Sequence, residues 1–173
     1  MSDTGPSWDE LVQLAQQVGA ALRDRHETVA VAEGSAAGLV SAALLAVPGA
    51  SAYYLGGVVV YTPAAHRAFL AGTVEVPDGM RGATETFAQY LATAVALRTR
   101  ATWGVGEAGA AGPPNRYGDP AGHAWFAVTR NNPSGAHETV THHLLTGSDE
   151  REANMRHFAR GALALLLARL GTA

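Results

Sequence analysis

Residues 28–45 read TVAVAEGSAAGLVSAALL, and this stretch decides the fold. Its first part, Thr28–Ala32, is a short run of β-branched and small apolar residues, which predicts a buried strand. The chain then turns at Glu33-Gly34-Ser35 into small and apolar residues that predict a helix. A buried strand followed at once by a helix favours an α/β fold, in which helices pack on a sheet.

The same patterns extend over the rest of the chain. A capping box at Ser7–Glu10 opens a predicted first helix over Trp8–Arg25. The other predicted helices are Ala64–Leu70, a long one from the cap Asp78 to about Arg98, and a last one capped by Ser148. The other predicted strands are Tyr53–Tyr61, Ala101–Val105, Ala124–Arg130 and Glu138–Leu145. The order α-β-α-β-α-α-β-β-β-α, without repeat or linker, predicts a single domain over residues 1–173, with helices on a mixed sheet.

Ten apolar positions fall on the inner faces of these elements and are predicted to form the core. They are Leu11, Val18, Val29, Leu39, Val58, Val59, Leu91, Phe126, Phe158 and Leu166.

Composition excludes several classes of function. Of the 173 residues, 47% are hydrophobic and 16% are charged, and the net charge of −3 disfavours a basic nucleic-acid-binding face. No apolar run is long enough to span a bilayer, and the amino-terminal residues are too polar for a secretory signal. We therefore expect a cytoplasmic protein that binds neither nucleic acid nor membrane.

Two residue types are missing from the chain, and each absence limits the chemistry. The sequence has no cysteine, which excludes thiolate nucleophiles and cysteine-ligated metals. All twelve basic residues are arginine, so no lysine is present to form a Ser–Lys dyad or a Schiff base.

Two segments at strand ends are candidate sites. The turn Glu33–Gly38 begins a helix, whose terminal amides attract anions, although a tight turn without a ligand would carry the same residues. Tyr61 ends the second strand and His66 follows one helical turn later, so both side chains are expected to face one cleft. His66 is a candidate general base there, and the alternative is an ordinary surface histidine.

A third candidate is the Gly/Pro-rich segment Gly106–Gly122, which is predicted to be a long loop. It carries the polar residues Glu107, Asn115, Arg116, Tyr117 and Asp119. Arg116 can pair with a phosphate or carboxylate through its two-pronged guanidinium group, whereas the alternative is a solvated loop.

The histidines do not predict a metal site. His142 and His143 are adjacent, so on a strand they point to opposite faces and cannot both bind one ion in regular geometry. His137 is the third histidine of this region. We predict no metal and no cofactor.

Three segments together resemble one family, the CinA C-terminal domain. They are AEGSAAGLVSAALLAVPGASAYYLGGVVVYTPAAH, GEAGAAGPP with GDPAGHAWFAV, and TGSDEREANMRHFARGALALLL. The family patterns that they match are an AESCTGG turn, a GGVVSYSNEAK strand and helix, a TGIAGPGG loop and an F-x-GDR-x-x-IR last helix. The resemblance implies a three-layer α/β/α sandwich and, for active members, hydrolysis of nicotinamide mononucleotide to nicotinate mononucleotide and ammonia.

The resemblance also implies a site, which this chain changes. The family reaction uses a serine nucleophile, a lysine and a tyrosine without a metal, and the matching positions are Gly34, His66 and Tyr61. The supporting threonine and first glycine of the turn become Ala36 and Ala37, and a second family threonine falls on Val105. Residues that match the family pattern are Glu33, Gly38, Ala108, Gly109 and Arg151, which together with Gly34 we predict to line a ligand-binding site.

Two hypotheses about function follow. In the first, catalysis is lost and the domain binds a ligand, such as a nucleotide or another phosphate-bearing small molecule, or forms a homo-oligomer. In the second, a shifted nucleophile, Ser35, works with His66 and Tyr61 in an active amidohydrolase. A purely structural subunit that partners a full-length enzyme is a third hypothesis.

Overall fold

The computed structural model describes residues 4–172, so residues 1–3 and 173 of the predicted domain lie outside the described range. The strands are β1 (Val29–Glu33), β2 (Tyr54–Val59), β3 (Trp103–Ala110), β4 (His123–Asn131) and β5 (His137–Leu145). The helices are α1 (Trp8–Asp24), α2 (Leu39–Leu45), α3 (Pro63–Phe69), α4 (Glu85–Thr99) and α5 (Arg151–Thr172), with a short 3₁₀ turn at Ala50–Ala52. The predicted order of elements is the observed one.

The five strands form one mixed sheet in the order β2-β1-β3-β4-β5. Strand β1 runs parallel to both β2 and β3, whereas β4 is antiparallel to both β3 and β5. Because β1 and β3 are parallel, both carboxyl ends reach the same edge of the sheet. Glu33, at the end of β1, is paired directly with Glu107 of β3.

Helices cover both faces of the sheet, which confirms the α/β/α prediction. Residues of α1, α2 and α5 share one hydrophobic cluster with Val31, Val105 and Phe126 from the sheet. Residues of α4 share the second cluster with Ala30, Ala32 and other residues of the opposite face. No helix among residues 4–172 has the length and apolar character that crossing a membrane requires.

Helix α4 packs unusually close to β3, and two glycines allow it. A Cβ atom on Gly104 would lie 2.0 Å from the carbonyl oxygen of Ala92, and one on Gly106 would lie 2.1 Å from that of Ala88. Any side chain at either position would therefore collide with the backbone of α4.

Seven of the ten predicted core residues are fully buried; they are Leu11, Val18, Val29, Leu91, Phe126, Phe158 and Leu166. The predictions for Val58 and Val59 are wrong as stated, because Val58 is only partly buried and Val59 is 40% exposed. Strand β2 is an edge strand, and its side chains alternate between partly buried and exposed. A run of apolar residues does not distinguish an edge strand from a central one. Leu39 is partly buried and packs at the margin of the first cluster.

Several element boundaries differ from the predictions, and the three largest differences are at β3, α2 and α4. Strand β3 continues to Ala110, so the predicted loop from Gly106 begins five residues too early. Helix α2 begins at Leu39 rather than at the Glu33–Ser35 turn. Helix α4 is capped by Thr84 rather than by Asp78.

Candidate functional site

The turn between β1 and α2 is held by two buried carboxylates, both fully inaccessible to solvent. The first is Glu33, which accepts hydrogen bonds from the amides of Val40 and Ser41 at 3.1 and 3.0 Å and from the Ser41 hydroxyl at 2.7 Å. Glu33 therefore caps α2 from the preceding strand. Gly38, with φ of 98°, occupies the left-handed N-cap position that glycine adopts most easily.

The second carboxylate belongs to Glu107 in the middle of β3. It accepts the amide protons of Gly34 and Ala36 at 3.0 and 2.8 Å, and the Ser35 hydroxyl donates to it at 2.5 Å. Burial raises the pKa of Glu107 to about 7, and the nearby Glu33 adds to the rise, while the three donors oppose it. The helix-end amides predicted to bind an external anion thus have an internal carboxylate as partner.

A small cavity of about 90 Å³ lies against this turn. Its wall brings together five predicted site residues, namely Gly34, Ser35, Tyr61, Ala108 and Gly109. These come from the turn, the end of β2 and β3, which meet at one edge of the sheet, where open α/β sheets bind ligands.

Position 34, the family's nucleophile position, has room for a side chain. A Cβ atom built on Gly34 would meet only the carbonyl oxygens of Glu107 and Val60, at 3.4 and 3.7 Å. These are ordinary van der Waals distances, so the scaffold still accommodates a serine that the sequence does not supply.

A larger cavity of about 520 Å³ adjoins the small one, since Val60, Tyr61, Gly82 and Phe87 line both. Its volume lies in the range of small-molecule sites. Its remaining lining residues are Thr62, Pro63, His66, Met80, Arg81, Asn115, Arg116 and Tyr117. The predicted candidates Tyr61 and His66 thus share the large cavity.

His66 does not pair with Ser35. Its Nε2 atom lies 2.8 Å from the Tyr90 hydroxyl, and the two rings contact each other at 5.2 Å between centroids. The Ser35 hydroxyl is directed instead to Glu107. No hydrogen bond joins these two described side chains, so the predicted Ser35–His66 chemistry lacks its proton path.

The segment after β3 forms one wall of the large cavity. Arg81 and Asp119 form an ion pair. The hydrogen bond that Arg81 donates lowers the pKa of the Asp119 carboxyl group. Arg116 lies over the Tyr117 ring at 4.8 Å and donates to its hydroxyl at 2.6 Å. Among the described residues no carboxylate forms a salt bridge with Arg116, so its charge is available to an anionic ligand.

Arg151 links Gly112 to Tyr61 without lining either cavity. Its guanidinium group donates to the carbonyl oxygen of Gly112 at 2.5 Å and to the Tyr61 hydroxyl at 3.1 Å. Glu33 and Gly38 likewise lie outside both linings. Of the predicted ligand contacts, Glu33, Gly38 and Arg151 thus lie outside the cavity walls.

The histidines of the antiparallel hairpin form a pair on one face of the sheet. His143 and His123 approach at 2.7 Å between ring nitrogens, while His142 lies against Phe126 on the other face. The other nitrogen of His123 bonds the carbonyl oxygen of Ala83 at 2.9 Å. Within residues 4–172, no group of three or more His, Cys, Asp or Glu side chains is placed to hold a metal ion.

Sequence reasoning missed three contributors to the site: the Glu107 contact to the turn, Phe87 and Arg81. The sequence pattern predicts a loop at Glu107, yet a lone carboxylate among small residues, as in GVGEAGA, is a signal of a charge that needs buried partners. Phe87 lies on α4 and Arg81 lies just before that helix. No local sequence pattern associates either residue with β2.

Comparisons with known proteins agree with this architecture. The sequence profile of one family, described as the CinA C-terminal domain, matches residues 11–170. A CinA-like protein from Chlorobium phaeobacteroides is 33% identical over 155 residues, which cover 89% of this chain and 36% of that protein. A CinA-like protein from Synechocystis sp. is 33% identical over 139 residues, which cover 80% and 32% respectively. The chain thus spans about a third of the length of these relatives.

Solved structures of similar length share the fold. A CinA superfamily protein from Klebsiella pneumoniae is 29% identical with a TM-score of 0.79, covering 94% of this chain and 99% of that one. A competence/damage-inducible protein from Agrobacterium tumefaciens is 27% identical with a TM-score of 0.81, covering 96% and 98%.

Proposed function

Because the chain belongs to the family of the CinA C-terminal domain, we propose that it is a ligand-binding member that no longer hydrolyses nicotinamide mononucleotide. The observation that carries this proposal is the absence of a side chain at Gly34, in a position where the scaffold has room for one. Loss of a serine nucleophile costs on the order of 10⁶ in turnover. With no lysine in the chain, no alternative alignment restores a Ser–Lys pair.

The large cavity supports a nucleotide or another phosphate-bearing molecule as the ligand. Phe87, Tyr61 and Tyr117 offer aromatic surface for a planar ring, and Arg116 offers a cation without a carboxylate partner among the described residues. Mostly apolar walls with a few polar groups are typical of small-molecule sites.

The alternative, a hydrolase that uses Ser35 with His66 and Tyr61, has less support. Ser35 donates its proton to Glu107 and His66 is bonded to Tyr90, so His66 is not in place to take that proton. A cytoplasmic location and a homo-oligomer remain predictions; light scattering on purified protein measures the second.

Binding is tested by calorimetry with nicotinamide mononucleotide and, separately, with inorganic phosphate. We expect the nucleotide to bind, and Arg116→Ala to weaken binding roughly 10- to 100-fold through loss of a charge-assisted hydrogen bond. The matched control is Arg67→Ala, which removes an equal charge from an exposed position outside both cavities. Equal effects of the two substitutions would contradict a ligand anion at Arg116.

Catalysis is tested by ammonia release from nicotinamide mononucleotide. We expect none above background from the unmodified protein, and measurable turnover from Gly34→Ser combined with His66→Lys, since the side chain at 34 fits and Tyr61 is retained. Clear turnover by the unmodified protein, abolished by Ser35→Ala, would refute the loss of catalysis and favour the shifted nucleophile.

A further inference from the structure

The hydrogen bond between Ser35 and Glu107 is not explained by ligand binding. The hydroxyl–carboxylate distance is 2.5 Å, and Glu107 is completely buried. Ser35 is 5% exposed and lines the small cavity. A serine that donates directly to a carboxylate and reaches a cavity has the arrangement of a nucleophile and its base.

The carboxylate is fixed in place independently of the serine. The amides of Gly34 and Ala36 both donate to its other oxygen, Oε2, while Oε1 receives the Ser35 proton. Because the backbone holds Glu107, its Oε1 atom remains directed at Ser35. Burial keeps the pKa of Glu107 near 7, where a carboxylate can both accept and return a proton at neutral pH.

A donor for a developing oxyanion is available in the same cavity. The Tyr61 oxygen accepts a hydrogen bond from Arg151 at 3.1 Å, which leaves the phenolic proton of Tyr61 free to donate. Tyr61 and Ser35 line the small cavity together. A hydroxyl polarised by an arginine is suited to stabilising negative charge on a carbonyl oxygen.

We propose that Ser35 and Glu107 form a nucleophile–base pair that accepts a short acyl group from an ester bound at the small cavity. The Ser35 Oγ–carbon bond forms while its proton moves to Glu107. The ester C–O bond then breaks, and the leaving alcohol takes the electron pair of that bond and the proton held by Glu107. Water next attacks the acyl carbon and gives a proton to Glu107. The Ser35 Oγ–carbon bond then breaks, Oγ takes the electron pair of that bond and the proton from Glu107, and the carboxylic acid leaves.

An ester differs from the amide of the family reaction in its leaving group. The alkoxide or phenolate of an ester is a far better leaving group than the amide anion of an amide, and Glu107 supplies the proton that the leaving oxygen takes, so this pair needs no separate lysine. The small cavity, at about 90 Å³, limits the acyl group to a few carbon atoms. This activity requires neither a bound nucleotide nor amide hydrolysis, although Tyr61 lines both cavities.

The experiment treats the unmodified protein with p-nitrophenyl acetate, quenches it in acid and locates the acetyl group by peptide mass spectrometry. The absence of lysine simplifies the assignment, because no lysine side chain competes for acetylation. We expect the acetyl group on Ser35, with nitrophenol release that rises with pH and levels off above about 7, as Glu107 ionises. Acetylation at other residues and not at Ser35 would overturn the proposal, and this result requires no variant protein.

Variants then separate a base from a structural support. Ser35→Ala should abolish the acetyl-enzyme, and Glu107→Gln should slow its formation about 100-fold or more while removing the pH dependence. The control, Ser134→Ala, removes an exposed serine of the β4–β5 hairpin and should leave the rate unchanged. If Glu107→Gln retains its fold by circular dichroism and reacts at the original rate and pH dependence, Glu107 is not the base.

Discussion

Gly34 and Gly109 both line the small cavity, but the space beside their Cα atoms differs. At Gly34 the contacts of an added Cβ atom are ordinary, whereas at Gly109 it would lie 2.6 Å from the carbonyl oxygen of His123 and 2.8 Å from the Ser35 hydroxyl. We expect Gly34→Ser to change the free energy of unfolding by less than about 0.5 kcal/mol. Gly109→Ser should lower it by about 1–3 kcal/mol through overpacking. Urea unfolding measures both, and equal losses would show that the turn has no room for a nucleophile.

At the scale of elements, the start of α4 is set by Thr84. Its side-chain oxygen accepts the Phe87 amide proton at 3.2 Å, whereas Asp78, which the sequence favoured, lies six residues earlier in an exposed turn. Thr84→Ala should therefore lower the free energy of unfolding by about 1 kcal/mol, the typical cost of losing a cap. Asp78→Ala provides the control and should change it by less than about 0.5 kcal/mol. A larger loss for Asp78→Ala than for Thr84→Ala in thermal unfolding would reverse this assignment.

The elements that could be predicted from the sequence are those with local determinants. The capping box at Ser7 and Glu10 forms as expected, and α1 begins at Trp8. The second half of strand β3 shows the opposite case, because the Gly/Pro-rich composition from Gly106 onward predicts a loop. Gly104 and Gly106 allow α4 to pack closely against β3. This requirement comes from the tertiary structure, so local sequence propensity does not reveal it.

The candidate site likewise has one part that could be predicted from the sequence and one part that could not. The meeting of Gly34, Tyr61 and Gly109 could be expected, because each follows or ends a strand of one sheet. The contact of Glu107 with the turn could not, since it depends on the register that pairs Glu33 with Glu107. Register is set by the packing of whole strands and is not visible in either segment alone.

At the scale of the whole molecule, Glu107 makes stability depend on pH. Its pKa rises from 4.5 to about 7 on folding because burial penalises the charged form. The stabilisation associated with protonated Glu107 is complete below about pH 4.5 and is lost as the pH rises through 7, a decrease of about 3 kcal/mol in the free energy of unfolding.

Glu107→Gln should remove this decrease, because its side chain stays neutral at every pH. Urea unfolding of both proteins at about pH 4.5 and about pH 8 measures the difference, because contributions common to the two proteins cancel in the comparison. Parallel pH profiles for the two proteins would mean that Glu107 is already ionised across this range.

The close contact between the start of the chain and α5 has a practical consequence for any protein joined to this domain. Gly5 packs against the backbone of Ala153, two residues after Arg151, which bonds Tyr61 at the cavities. Helix α5 then runs for 22 residues, so its far end lies roughly 33 Å away at 1.5 Å per residue. We therefore expect a fluorescent protein or an affinity tag to weaken nucleotide binding more when it is attached ahead of Gly5 than when it is attached behind α5, and calorimetry on the two fusion proteins measures the difference.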